Sequence, residues 1–311
     1  MKTINIFSSV LFALLFALVQ LHPSKCLGET VPVVTSIFPV ADMVRAVGEE
    51  HVDVTFILPA GASPHTFEPK PSLVKKITRA RIFFMIGAGL EFWAEKFVKL
   101  AGPGLKTVVL SEKVSLIHTT KDHYAAEHHD GKMHISDRNS SFANPHIWLD
   151  PVIVKLMVNE IVAALSQVDR QHEKFYEKQG RKYLIELDKL DKMIKAKVDV
   201  FKIKEFVSFH ASWDYFARRY GLEPVGVIEA APGRNPTPIQ IKNIVDRIKR
   251  HNIQAVFAEP QLNPRAAEVI ANEAKVKVLL LDPLGGPGMK RRGNYFDLMK
   301  YNLNVLQEAM Q

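Results

Sequence analysis

Strand-like and helix-like stretches alternate twice along this chain, and the two series are separated by one long helical pattern. That order excludes most architectures other than parallel α/β. In the first half the pattern predicts strands at 33–36, 52–58, 82–86 and 107–110, with helices at 40–47, 73–80 and 92–100 between them. In the second half it predicts strands at 206–209, 225–228, 255–258 and 276–281. Their intervening helices cover 213–220, a segment opened by Thr237, and a segment ending near Ala274, and a last helix covers 295–310. Strand and helix in turn imply βαβ units and a parallel sheet. Thr237-Pro238-Ile239-Gln240 carries the signals of a helix start: threonine as N-cap, proline at the first position, glutamine closing a capping box. Between the two series, 150–168 reads as an apolar helix and 169–201 as a second, longer one. In the longer helix Tyr183, Leu187, Leu190, Ile194 and Val198 share one stripe. About 30 residues of helix reach roughly 45 Å, enough to tie two lobes together as a strut. Gly180 is expected to bend or weaken it. The expected fold is α/β, with two lobes, each a central parallel sheet flanked by helices, joined by one long connecting helix. The expected divisions are an N-terminal lobe over 29–168, the connecting helix over 169–201 and a C-terminal lobe over 202–311.

The first 28 residues read as a secretory signal peptide: Lys2, then an apolar stretch from Ile4 to Leu21, then the turn-like His22-Pro23-Ser24-Lys25. Cleavage after Gly28 removes Cys26, the only cysteine, so that any metal must be held by nitrogen and oxygen. Lys25 stands where a lipid-anchored precursor needs a small residue, which argues against anchoring at Cys26. The net charge of +8 falls to +6 without Lys2 and Lys25, and its lysines are spread among acidic residues. With an export signal, that pattern argues against nucleic acid as partner.

Four separated residues then stand out, each expected to end or follow a buried strand: His65, His146, His210 and Asp282. Ligands in open α/β folds bind beyond the carboxyl ends of parallel strands, and imidazoles with a carboxylate there make a transition-metal cage. His65 follows the Pro/Gly-rich turn Ala60-Gly61-Ala62-Ser63-Pro64, and His146 lies between Pro145 and Pro151. One such histidine alone is more often structural than a ligand; four side chains in equivalent places favour the cage. Zinc suits imidazole and tetrahedral geometry, whereas manganese prefers more oxygen. Glu259 also ends a strand, and its roles stay open: a fifth ligand, an acceptor for a ligand imidazole, or half of an ordinary salt bridge. The polar segment 111–143 holds His118, His123, His128, His129 and His134. It reads as a loop, either a weak zinc collector or a solvated linker.

Several motifs, in order along nearly all of the chain after position 28, resemble those of the metal-specific solute-binding proteins of bacterial ABC transporters for zinc and manganese. They are Thr35-Ser36-Ile37-Phe38-Pro39, Gly61-Ala62-Ser63-Pro64-His65, and Asn144-Pro145-His146-Ile147-Trp148-Leu149-Asp150-Pro151. Phe209-His210, Phe257-Ala258-Glu259-Pro260-Gln261 and Asp282-Pro283-Leu284-Gly285 follow. The resemblance implies two lobes with a buried metal between them, ligated at His65, His146, His210 and Asp282. It also implies a periplasmic protein, here expected as a monomer, that delivers its ion to a membrane permease driven by a cytoplasmic ATPase. Histidine at position 210 is similar to the zinc-type members, since manganese-type members carry glutamate there. Two features depart from many zinc members: Pro64 replaces a carboxylate before the first histidine, and no second-lobe disulfide can form. The expected cargo is Zn2+, with Mn2+ the other ion considered. The alternatives are a manganese or iron carrier on the same scaffold, a surface adhesin sharing the fold, and a metal-dependent hydrolase. The last would use the three histidines with Asp282 or Glu259 as base, but the chain lacks a His-Glu-x-x-His helix signature.

Overall fold

The computed structural model describes residues 30–119, 142–229 and 233–311. The expected signal segment, and His123, His128, His129 and His134 of the histidine-rich segment, lie outside the described residues. The first half holds β1 (Val31–Thr35), α1 (Phe38–Gly48), β2 (Val52–Phe56), α2 (Pro71–Arg79), β3 (Ile82–Met85), α3 (Ala94–Ala101) and β4 (Lys106–Val109). Two-residue strands β5 (His118–Thr119) and β6 (Phe142–Ala143) pair antiparallel and close the base of the histidine-rich segment. Two helices follow, α4 (Pro151–Val168) and α5 (Glu173–Asp199). The second half holds β7 (Glu205–Ser208), α6 (Asp214–Tyr220), β8 (Glu223–Val227), α7 (Pro238–Arg250), β9 (Ala255–Ala258), α8 (Arg265–Ala274), β10 (Lys277–Leu280) and α9 (Tyr295–Met310).

The strands form two four-stranded sheets, ordered β2-β1-β3-β4 and β10-β9-β7-β8. Every pairing within them is parallel. Numbered from its own first strand, each sheet has the order 2-1-3-4. The duplication that the alternating pattern hints at is therefore one of topology, with no matching sequence repeat. In both sheets the order reverses beside the first strand, and such a switch point opens a crevice at the carboxyl ends.

Helix starts follow local chemistry. Asp150 caps α4 by accepting from the Val152 amide, with Pro151 at the first position. The capping box expected at Thr237 and Gln240 is present at the head of α7. The connecting helix is shorter than its pattern: a 3-10 turn at Arg170–His172 precedes it, and the 27 residues of α5 span about 40 Å. Tyr183, Leu187, Leu190, Ile194 and Val198 are all buried on one face of α5, as their spacing predicts. Gly180 does not interrupt it. A Cβ at that position would stand 2.5 Å from Val162 Cγ2 on α4, so glycine is what lets the two helices approach.

The largest apolar cluster ignores the division between the halves. It joins Val33, Val40 and Val44 to Leu187 and Ile194 of α5 and to Phe206, Tyr295 and Leu303 of the second half. Smaller clusters cover the outer side of each sheet, around Phe83 and Trp93 in the first and around Val207, Phe209 and Ile270 in the second. By length and composition α4 could cross a membrane. Here its Val154, Met157, Val158, Ile161 and Leu165 are buried in the shared cluster.

Candidate metal centre

His65 lies in the loop between β2 and α2, and His210 stands two residues beyond the end of β7. His210 matches the expected strand end, whereas His65 stands nine residues beyond Phe56, the last residue of β2, and follows its strand only through a long loop. His146 differs: the strand before it shrinks to the two antiparallel residues of β6, and the histidine enters the 3-10 turn Ile147–Leu149 that leads into α4. Pro145 and Pro151 still bracket it, and restricted backbone fixes the ring where a long strand does not.

Three imidazoles converge. Nε2 of His146 lies 3.3 Å from Nε2 of His65 and 3.1 Å from Nε2 of His210. A tetrahedral ion about 2.0–2.1 Å from each nitrogen requires edges of about 3.3–3.4 Å. No other group of three or more metal-binding side chains of histidine, cysteine, aspartate or glutamate type converges this way among the described residues.

The far sides of two of these rings fix their tautomers. Asn144 donates through Nδ2 to the Ala211 carbonyl (2.7 Å) and to Asp214 Oδ2 (3.0 Å), which leaves its Oδ1 as an acceptor. That oxygen lies 2.8 Å from His146 Nδ1, so this nitrogen carries the proton. Likewise His210 Nδ1 donates to Glu259 Oε1 at 2.8 Å. Both Nε2 atoms therefore present lone pairs to each other, an arrangement that calls for a cation between them. Of the roles open to Glu259, the geometry gives it that of acceptor for His210; the full width of the ring separates it from the convergence point.

Burial, and then the neighbouring His210, push the His65 ring down to about 3. Burial, and then His210 and His65, also hold His146 well below the ordinary value. Both rings are neutral at physiological pH, ready to bind without displacing a proton. For metal-free protein the sign follows from linkage. The unfolded chain takes up protons near 6.5 and the folded His65 does not. Stability is therefore lost as the pH falls below about 6.5, by about 2 kcal/mol at pH 5 for His65. Metal-free protein should melt at a lower temperature at pH 5 than at pH 7, and the gap should narrow in a His65→Gln variant. An equal gap in both would contradict this account.

Around the three rings lies a cavity of about 10 Å³, room for one water-sized sphere, lined also by Trp148, Glu259 and Gln261. Trp148 is fully buried, with its ring 5.1 Å from that of His146. Its Nε1 donates to the Pro283 carbonyl at 2.7 Å, pinning the first half's wall to the second.

Asp282 is the expected ligand that the structure does not bring into the convergent group. It is completely buried and its oxygens are engaged elsewhere. Oδ1 accepts from Gln261 Nε2 (2.9 Å) and from the amides of Leu284 and Gly285 (3.0 Å each), and Oδ2 accepts from Arg292 at 2.6 Å. The reason lies in the loop after β10. Gly285 has φ +64, and a Cβ on it would lie 2.6 Å from the Arg292 carbonyl. Glycine allows the loop to double back and lay Arg292 against the aspartate. Asn144 and Gln261 are the functional neighbours that a search for charged or metal-ligating types passes over.

Two duplicated parallel sheets with a buried three-imidazole pocket at their carboxyl ends define a two-lobed α/β metal-binding protein. The model of the zinc-uptake complex component A, periplasmic, matches residues 33–309, and the chain belongs to that family. It is 27% identical over 287 residues to the high-affinity zinc uptake system protein ZnuA of Bacillus subtilis, covering 91% of this chain and 88% of that one. A crystal structure of ZnuA superposes with a TM-score of 0.79 at 27% identity, covering 90% of this chain and 99% of the other. The laminin-binding protein Lmb of Streptococcus agalactiae, described as having adhesin and metal-transporting activity, superposes with a TM-score of 0.77 at 28% identity. That match covers 90% of this chain and 99% of Lmb.

Proposed function

We propose that this protein is an extracytoplasmic carrier that captures Zn2+ with His65, His146 and His210 and hands it to the permease of an ABC transporter. The observation that carries the reading is the convergence of the three Nε2 atoms, two of them with their opposite nitrogens already hydrogen-bonded. Three neutral nitrogen donors suit zinc, whereas manganese and iron(II) gain more from carboxylate oxygens. The B. subtilis relative is named for high-affinity zinc uptake, and the family for a periplasmic uptake component, which supports the same cargo and destination. The reading includes export with removal of residues 1–28, a monomer, and the divisions 29–168, 169–201 and 202–311. It also assigns no catalysis: the carboxylate touching the rings, Glu259, is engaged through Oε1 by His210 Nδ1, on the side of the ring away from the convergence point.

The test is a competition titration of metal-stripped protein beginning at Glu29 against zinc and manganese, with bound metal counted by mass spectrometry. One tight zinc per chain, barely displaced by excess manganese, is the expected result. Equal retention of both ions would remove the zinc assignment, and failure to hold any divalent ion would remove the carrier reading.

A further inference from the structure

Three imidazoles leave a tetrahedral ion one position short. The carboxylate expected to fill it, Asp282, is saturated by four donors. Glu259 reaches only the far side of the His210 ring. Two buried oxygens without hydrogen-bond partners among the described residues belong to residues lining the same cavity, Glu259 Oε2 and Gln261 Oε1, and the first sits on the carboxylate held at the Nδ1 side of His210, away from the convergence point. Gln261 lines the cavity together with the three histidines. The orientation of that amide is not arbitrary. Asp282 Oδ1 already accepts from two backbone amides, and a carboxylate in an ion pair with Arg292 can only accept. The end of the Gln261 side chain facing it at 2.9 Å must therefore be Nε2, which turns the carbonyl end away from Asp282. A buried carbonyl oxygen without a partner is costly unless something binds there.

We infer that Gln261 Oε1 is the neutral oxygen contact at the fourth position of the captured metal, and that Asp282 and Arg292 act on the metal by positioning this amide. The inference rests on the zinc-carrier reading and deepens it into a basis for selectivity. An ion pair ties up Asp282, Glu259 is held at the far side of the His210 ring, and an uncharged oxygen takes the fourth position. Zinc, satisfied by imidazole, loses little by the exchange, whereas manganese loses the anionic donor it favours. Gln261 is thus a selectivity residue, and Arg292 a positioning residue two contacts removed.

The experiment compares protein beginning at Glu29 with its Gln261→Leu and Gln261→Glu variants. Zinc and manganese affinities are measured by competition, the absorption spectrum is recorded with Co2+ in place of zinc, and the metal-free melting temperature serves as a control on folding. Gln261→Leu is expected to weaken zinc by about 10–100-fold and to alter the Co2+ spectrum. Gln261→Glu, which restores an oxygen and adds charge, is expected to recover zinc binding and tighten manganese. A leucine variant within twofold of the parent, with an unchanged Co2+ spectrum, would overturn the inference and leave the carrier reading standing. So would equal loss of zinc in both variants accompanied by a fall in metal-free melting temperature, which marks a purely structural role. A parent protein without tight zinc would overturn both.

Discussion

Replacing His210 by alanine should weaken zinc binding by about 10²–10³-fold. Buried zinc sites with four donors gain about 10–16 kcal/mol, so one donor accounts for about 2.5–4 kcal/mol. His210 is the second half's sole member of the convergent trio, and its Nε2 lies 3.1 Å from that of His146. Its loss removes a ligand and at the same time leaves Glu259, only 2% exposed, without the ring proton that it accepts. The effect is read as a dissociation constant from competition with a chelator of known affinity. Tight zinc binding by the variant would remove His210 from the site.

Asp282→Ala should behave differently, destabilising the protein by about 3–5 kcal/mol even with no metal present. Removing one partner of a buried ion pair leaves the other charge uncompensated. Arg292 keeps 20% of its side chain exposed, which places the cost toward the lower end of that range. The same substitution strips acceptors from the Leu284 and Gly285 amides and releases Gln261. Urea unfolding of metal-stripped protein measures the effect directly. If the variant lost zinc affinity but unfolded at the parent's urea concentration, Asp282 would be a ligand after all and the account given for it would fail.

The contrast between these two residues shows what the chain made legible. His210 was readable because an apolar run, Phe206 to Phe209, ends on it, and a strand end is a place that topology delivers to a crevice. Asp282 ends an equally clear run, 278–281, and on that signal alone the two were indistinguishable. What separates them is Arg292, ten residues on, which reaches the aspartate only because Gly285 takes a positive φ. A loop's return path has no periodicity to read. Gln261 escaped for another reason. A neutral amide has no charge pattern, and its importance lies in which of its ends is already engaged, a fact of packing. At the level of the fold, the 3.6-residue stripe on α5 was plain, yet Gly180 read as a weakness. Its role is set by Val162 on another helix, which the local pattern does not include.

The core that runs unbroken from Val33 through Leu187 to Leu303 has a consequence for how a carrier of this kind reports its load. Binding proteins whose halves swing on a hinge advertise their cargo by changing outline. Here the halves are welded along a common seam, so shutting one against the other would tear apolar contacts that nothing replaces. For the proposed carrier, a receiving permease would then distinguish full from empty by touch, at the rim where the loops bearing His65, His210 and Gln261 meet. A few side chains settling around an ion would be the whole message.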